Sequence, residues 1–311
     1  MGKIKGMNRV NINGYLVSVP IPWNDDFSFS PELFKKAINK LVKEKCDGLY
    51  LFGTSGEGYA VTDDEFNQIV NVFAEATKTF KGFTQVGCFG LSSDQVKNRC
   101  RIVSELGIQS VQITLPFWKV LNDKELERYF TDVCGSFSEL SFLLYNNPQN
   151  KRRLKGKEIE AIHKLAPNLI GAKTGSGAWL DIFELITEAP SVTHFVTEKA
   201  FPFAYGLGNV GLIPSSNYVF PKTTHAFYEA VISRDLKTAH YLHKKIVRFF
   251  HLTAIPLVEK NYIDGAIDKA YAQIGGMDMP LNMKSPYIPL SDEDFKWLKS
   301  VVRLEFAEML Q

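Results

Sequence analysis

Lys173 closes the apolar run Leu169-Ile170-Gly171-Ala172, and a lysine so placed is the strongest candidate in this chain for covalent chemistry. Apolar neighbours strip water from an ammonium group and disfavour its charge. The neutral amine can then attack a ketone carbonyl to give a carbinolamine and an iminium. A protonated iminium is an electron sink for making or breaking a neighbouring carbon–carbon bond. That chemistry needs a proton shuttle beside the nitrogen, and Tyr145, at the end of another apolar run, offers a phenol. A third segment, Gly53-Thr54-Ser55-Gly56-Glu57-Gly58, joins glycines that let backbone amides approach a ligand to the hydroxyls of Thr54 and Ser55. That set suits a carboxylate. Each signal also has a plainer reading: a lysine that snorkels to solvent, a tyrosine bonded to a backbone carbonyl, a tight turn. Only their combination is informative.

All three segments follow short apolar runs. Such runs, at residues 15–19, 48–52, 84–87, 110–114, 141–145, 169–173, 193–196 and 211–214, alternate with amphipathic stretches. Eight strand–helix repeats close a (β/α)8 barrel, in which functional side chains gather at the carboxyl ends of the strands. Several helix starts are legible. Ser30-Pro31 reads as a cap followed by a proline in the first turn, and Thr62 to Glu65 as a capping box. Phe34, Ala37, Ile38, Leu41 and Val42 then give the first helix an apolar face. An open doubly wound sheet is the alternative, but no GxGxxG follows the first strand. The sequence therefore predicts an α/β fold, a (β/α)8 TIM barrel over residues 9–222. A C-terminal helical extension over residues 223–311 is expected to pack on it, with helices near 224–233, 236–250, 262–274 and 291–309 and no Pro-, Gly- or Ser-rich linker between.

Of 311 residues, 45% are hydrophobic, enough for a large core. The 36 basic and 34 acidic residues are interspersed and leave a net charge of +2, so no basic block points to nucleic acid. The expected partners are a small molecule and further copies of the chain. Cys46, Cys88, Cys100 and Cys134 form no CxxC pair, which argues against a zinc ribbon or redox motif and for a reduced, cytoplasmic location. No apolar run reaches the roughly 18 residues that span a membrane. His240 and His243 lie at helical spacing without a carboxylate-rich partner motif, so no metal is expected. The segment 206–209 precedes the last strand candidate and reads as a turn, not a phosphate cradle. No phosphate nest or pyridinium partner suggests a pyridoxal enzyme.

Together, Gly53 to Glu57, the Tyr145-Asn146-Asn147-Pro148 stretch, Lys173 and the Gly211-Leu212-Ile213-Pro214-Ser215-Ser216 segment resemble the dihydrodipicolinate synthase/N-acetylneuraminate lyase family. The resemblance covers essentially the whole chain. It implies a class I aldolase or lyase that holds pyruvate or another 2-oxo acid as a Schiff base on Lys173, with no other cofactor and no metal, and an aldehyde as the second substrate. Tyr145 would be the general acid/base and Ser55 would link to it in a proton relay. Thr54 and Ser55 would bind the carboxylate, Ile213 would line the floor beneath the oxo acid, and Gly53 and Gly175 would be backbone-access positions. The resemblance also implies a homotetramer built as a dimer of dimers.

The chain departs from the family's pattern at specificity positions. Synthases proper carry an arginine five residues after the tyrosine, where this chain has Asn150; Lys151, Arg152 and Arg153 follow and would have to compensate. The family's second aromatic hydroxyl, at the end of the fourth strand and donated from a neighbouring subunit, is replaced by Leu115-Pro116-Phe117-Trp118, and Trp118 is read as a substrate contact. Sialic acid lyases grip sugar hydroxyls after the seventh strand, where this chain offers Glu198 and Lys199, either polyol and carboxylate contacts or solvated residues at a helix start. Trp179 is a candidate wall of the pocket. A sugar-acid aldolase or sialic acid lyase is therefore favoured over lysine-biosynthetic activity. The rival from another class is a catalytically silent barrel that binds a ligand or partner as a regulator; it would keep the fold while losing Lys173 or Tyr145.

Overall fold

The computed structural model describes Val10, residues 12–174 and residues 178–310. Eight strands, β1 (Leu16–Val19), β2 (Gly48–Leu51), β3 (Phe83–Gly87), β4 (Ser110–Ile113), β5 (Ser141–Tyr145), β6 (Leu169–Lys173), β7 (Thr193–Val196) and β8 (Val210–Leu212), pair in parallel in sequence order. A parallel bridge between Tyr15 and Leu212 brings β8 back to the start of β1, and the Leu212 amide donates to the Gly14 carbonyl at 2.9 Å. The helices are α1 (Pro31–Lys43), α2 (Asp63–Ala76), α3 (Ser93–Glu105), α4 (Asp123–Gly135), α5 (Gly156–Leu165), α6 (Trp179–Glu188), α7 (Phe201–Ala204), α8 (Pro221–Ile232), α9 (Leu236–Glu259), α10 (Asp264–Ile274) and α11 (Asp292–Glu305). The architecture is a (β/α)8 barrel with additional C-terminal helices. Strand positions agree with the sequence pattern to within a residue or two, because parallel strands buried on both faces read as near-continuous apolar runs.

Two cores follow from the alternation of side chains along each strand. Outward-facing residues such as Val17, Leu49, Val111 and Phe142 join the apolar faces of the surrounding helices in one large cluster. Inside the barrel, Ile12, Leu16, Tyr50, Leu143, Phe195 and Ile213 form a second, smaller one. Two hydrogen bonds lie in that interior, the Gln85 side-chain amide donating to the Ser110 hydroxyl at 2.9 Å and that of Gln112 to the Tyr50 hydroxyl, while the amide oxygens of both glutamines are buried without a partner.

The Thr62–Glu65 capping box is formed, the Thr62 hydroxyl accepting from the Glu65 amide at 3.2 Å and the Glu65 carboxylate from the Thr62 amide at 3.0 Å. Ser30 occupies the cap position of α1, but its side chain makes no capping bond, and Pro31 alone sets the helix start. Helix α9 does not end near Phe250 but continues through Pro256 to Glu259. The C-terminal helices are held by aromatic contacts: the Phe249 ring centroid lies 4.9 Å from both Phe220 and Tyr271 and 5.5 Å from Phe306. All four cysteines are free, and no helix among the described residues is long and apolar enough to cross a membrane.

Candidate active site

Lys173 and Tyr145 are register partners on neighbouring strands, which is why residues distant in sequence share one end of the barrel. A register shift between Phe142 and Leu143 pairs Leu143 with Gly171 and Tyr145 with Lys173. The Lys173 Nζ lies 4.2 Å from the centre of the Tyr145 ring and 5.6 Å from that of Tyr50. Tyr145 is buried, and the loop that follows it is pinned. The Asn146 side chain bonds the Leu154 carbonyl and amide, each at 2.8 Å, and the Asn150 side-chain amide donates to the Tyr145 carbonyl at 2.8 Å. Asn150 thus turns inward to hold the backbone, and the arginine fork expected of synthases has no counterpart there.

The two residues face a cavity of about 1050 Å³ at the carboxyl ends of the strands. Thr54, Ser55 and Ile213, all expected from sequence, line it as well. The expected link between Ser55 and Tyr145 is not formed. The Thr54 hydroxyl lies 3.3 Å from the Tyr145 hydroxyl, whereas the Ser55 hydroxyl donates to the Asp268 carboxyl on α10. Thr54 and Ser55 are adjacent, so their hydroxyls diverge, and the fold of the loop decides which meets the phenol. That fold includes left-handed backbone at Phe52 (φ 62°) and Glu57 (φ 50°).

Asp268 was not anticipated from sequence. Burial pushes its carboxyl up to about 7, with Asp264 and Glu198 acting in the same direction and the Ser55 hydroxyl and Lys173 opposing. It reaches Ser55 because α10 comes very close to the β2–α2 loop: a Cβ at Gly265 would lie 2.8 Å from the Thr54 carbonyl oxygen. The next residue, Lys269, forms a fully buried 2.5 Å ion pair with Glu57 of the same loop. Glu57 also accepts from the Trp23 indole and the Lys284 amide, each at 2.8 Å. Burial lowers the Lys269 ammonium from its ordinary value, and Glu57 works against that. A sequence signal existed for both residues. They are adjacent charges in a helix whose residues 265–272 are otherwise small, apolar or aromatic, and all buried.

Other expected contacts are placed differently. Trp118 is 83% exposed and lies outside the cavity lining; its carbonyl accepts from the Lys151 ammonium at 3.3 Å. Arg152 does not stand in for the missing fork, being committed to Asp123 and Glu158 at 2.6 Å each. Gly53 does not line the cavity; a Cβ there would sit 2.6 Å from the Tyr50 ring, so packing explains the glycine. Gly175 lies outside the described residues. Glu198 is at the cavity wall but buried, not solvated. One of its oxygens accepts the Ser215 and Ser216 amides at 2.8 and 2.7 Å, and burial pushes its carboxyl up. Trp179 and Lys199 do line the cavity. Among the described residues no group of three or more His, Cys, Asp or Glu side chains is arranged to hold a metal ion.

The dihydrodipicolinate synthetase family matches residues 11–304. The chain belongs to that family. It is 20% identical over 290 residues to 4-hydroxy-tetrahydrodipicolinate synthase of Chloroherpeton thalassium, covering 92% of each chain. In structure it resembles a prophage protein of the dihydrodipicolinic acid synthase family from E. coli K12, solved in complex with pyruvate. The TM-score is 0.84 at 19% identity, over 94% of this chain and 97% of that one. It also resembles N-acetylneuraminate lyase from Mycoplasma synoviae, with a TM-score of 0.79 at 18% identity over 94% and 98% of the two chains. At such identities structural likeness carries the fold, and chemistry must be argued from the residues of this cavity.

Proposed function

We propose that this family member is a class I aldolase-type lyase that holds pyruvate or a related 2-oxo acid as a Schiff base on Lys173. The observation that carries the reading is the Lys173 amine 4.2 Å from the Tyr145 ring, with the Thr54 hydroxyl 3.3 Å from the phenol, on the wall of one cavity. In the condensing direction the amine attacks the ketone carbon of the oxo acid, and loss of water gives an iminium. Removal of a proton from the adjacent methyl group yields an enamine. Its terminal carbon bonds to the aldehyde carbon, and the aldehyde oxygen takes a proton from the Tyr145 hydroxyl. Water then hydrolyses the iminium, releasing a 4-hydroxy-2-oxo acid and the free amine. Cleavage is the reverse. Thr54 stands where it can pass the proton to and from Tyr145, and Thr54 and Ser55, which line the cavity, are assigned to the carboxylate.

Borohydride trapping with pyruvate, read by mass spectrometry, tests the proposal. A reduced pyruvyl adduct is expected on Lys173 and is lost in Lys173→Ala. With no adduct from pyruvate or a panel of 2-oxo acids, the chain is better described as a silent ligand-binding barrel. Tyr145→Phe should still form adduct slowly, with turnover lowered by roughly two to four orders of magnitude. Assembly as a homotetramer in the cytoplasm belongs to the same proposal, and light scattering at a monomer mass would remove its oligomeric part.

A further inference from the structure

The proposed cycle contains two proton movements that the aldehyde step does not supply. The carbinolamine must lose its hydroxyl as water, and the iminium must lose a proton from the neighbouring methyl group. A phenol that keeps its proton for the aldehyde oxygen cannot also accept one from that methyl group, so the cycle calls for a second acid–base group beside the amine. Among the described residues four carboxyls line the cavity, those of Glu198, Glu259, Asp264 and Asp268. Glu259 and Asp264 are exposed. Glu198 is buried, but one of its oxygens is held by the amides of Ser215 and Ser216. Thr174, its hydroxyl unpartnered, and Thr197, Lys199 and Ser215 are also in the wall, yet a hydroxyl is a poor base and an ammonium has no lone pair to offer.

Asp268 differs from all of these. It is buried, and it is bonded to Ser55, in the loop assigned to the carboxylate of the oxo acid. Thr54, the preceding residue, meets the Tyr145 hydroxyl instead, at 3.3 Å. An oxo acid held over these two diverging hydroxyls therefore has the phenol toward one side and the Asp268 carboxyl toward the other. Burial pushes that carboxyl up to about 7, with the Ser55 hydroxyl and the charge of Lys173 pulling it back, so acid and carboxylate coexist near neutral pH.

We infer that Asp268 is the acid and the base of the Schiff-base half of the cycle, leaving Tyr145 to serve the aldehyde. The inference rests on the Schiff-base reading. The protonated carboxyl gives its proton to the carbinolamine hydroxyl; the carbon–oxygen bond breaks, water leaves, and the nitrogen lone pair forms the iminium. The carboxylate left behind removes a proton from the methyl carbon. The electrons of that carbon–hydrogen bond form the enamine double bond, and those of the carbon–nitrogen double bond return to nitrogen. Asp268 ends the two steps protonated, as it began them. In cleavage the same carboxyl protonates the enamine carbon.

The test uses the full chain in heavy water with pyruvate and no aldehyde, quenched with borohydride and read by mass spectrometry. Enamine formation and its reversal put deuterium on the methyl carbon, so the mass of the trapped adduct reports proton removal separately from the amount of adduct. Wild type should give a deuterated adduct on Lys173. Asp268→Asn keeps the outline of the side chain but cannot take the proton; its adduct should accumulate more slowly, with exchange slower by roughly two to four orders of magnitude. Tyr145→Phe should give a deuterated adduct despite its low turnover with an aldehyde. If wild type gives no adduct, the Schiff-base reading falls and takes this inference with it. If the adduct forms, the inference alone falls when wild type carries no deuterium, when Asp268→Asn is deuterated as fast as wild type, or when Tyr145→Phe is the variant left without deuterium. It falls too if Asp268→Asn forms no adduct at all, because the carboxyl would then serve binding and not proton transfer.

Discussion

Two pairs of residues cross the same seam between the β2–α2 loop and α10, and they have opposite characters. Glu57 and Lys269 are both wholly buried and form an ion pair, with the Trp23 indole and the Lys284 amide completing the carboxylate's partners. Two positions away on the loop and one on the helix, Ser55 donates to Asp268, also buried, with no cation in direct contact among the described residues. The first pair has its charge compensated and locks the loop to the helix. In the second, a carboxyl faces the cavity with a hydroxyl in place of a cation, and burial drives it toward the protonated form near neutral pH. Compensated charge makes scaffold, whereas the uncompensated carboxyl lines the cavity itself. In the proposed mechanism an ionised Asp268 would repel the oxo acid assigned to Thr54 and Ser55, whereas a protonated one would not.

The contrast can be broken from either side. Lys269→Met leaves Glu57 buried without its cation and should cost about 3–5 kcal/mol of stability in urea unfolding; a loss below about 1 kcal/mol would show that the pair is not the lock. Asp268→Asn should act in the opposite direction and only at higher pH. Because the folded-state value is raised, the native protein binds more protons than the unfolded chain between about pH 4 and pH 7, so wild-type stability falls as pH rises through that window. The variant should therefore gain up to about 4 kcal/mol over wild type at pH 8, with the gap closed at pH 4. In the same comparison KM for pyruvate should climb above about pH 7 in wild type and stay flat in Asp268→Asn; parallel profiles would detach Asp268 from the carboxylate subsite. The smallest effect belongs to Ser55→Ala, about 1 kcal/mol for one hydrogen bond, together with a shift of the KM midpoint to higher pH because the hydroxyl holds the carboxyl down.

The barrel was legible because its information is local. Runs such as Ser141–Tyr145 and Leu169–Lys173 are apolar throughout and end in the residues that face the cavity. The Thr62–Glu65 box carries its own partners within four residues. Lys173, Tyr145, Thr54 and Ile213, read from strand ends and a family pattern, all line the one cavity. Sequence reasoning failed where a side chain's partner is remote. Ser55 was assigned to Tyr145, yet its partner Asp268 lies 213 positions away. Glu198, read as either a polyol contact or a solvated residue at a helix start, is buried at the cavity wall and accepts from two backbone amides of the segment after β8.

The amino-acid order by itself determined the eight-fold alternation, the strand ends that carry an amine and a phenol, and the glycine-rich loop with its paired hydroxyls. Strand periodicity and capping depend on neighbours a few residues apart. Only the tertiary structure decided which hydroxyl meets Tyr145 and that a carboxyl from the penultimate helix enters the cavity. Those pairings join segments as much as 213 residues apart, and the free energy that selects them, burial and charge compensation in a shared interior, exists only once the barrel has closed and the C-terminal helices have packed against it.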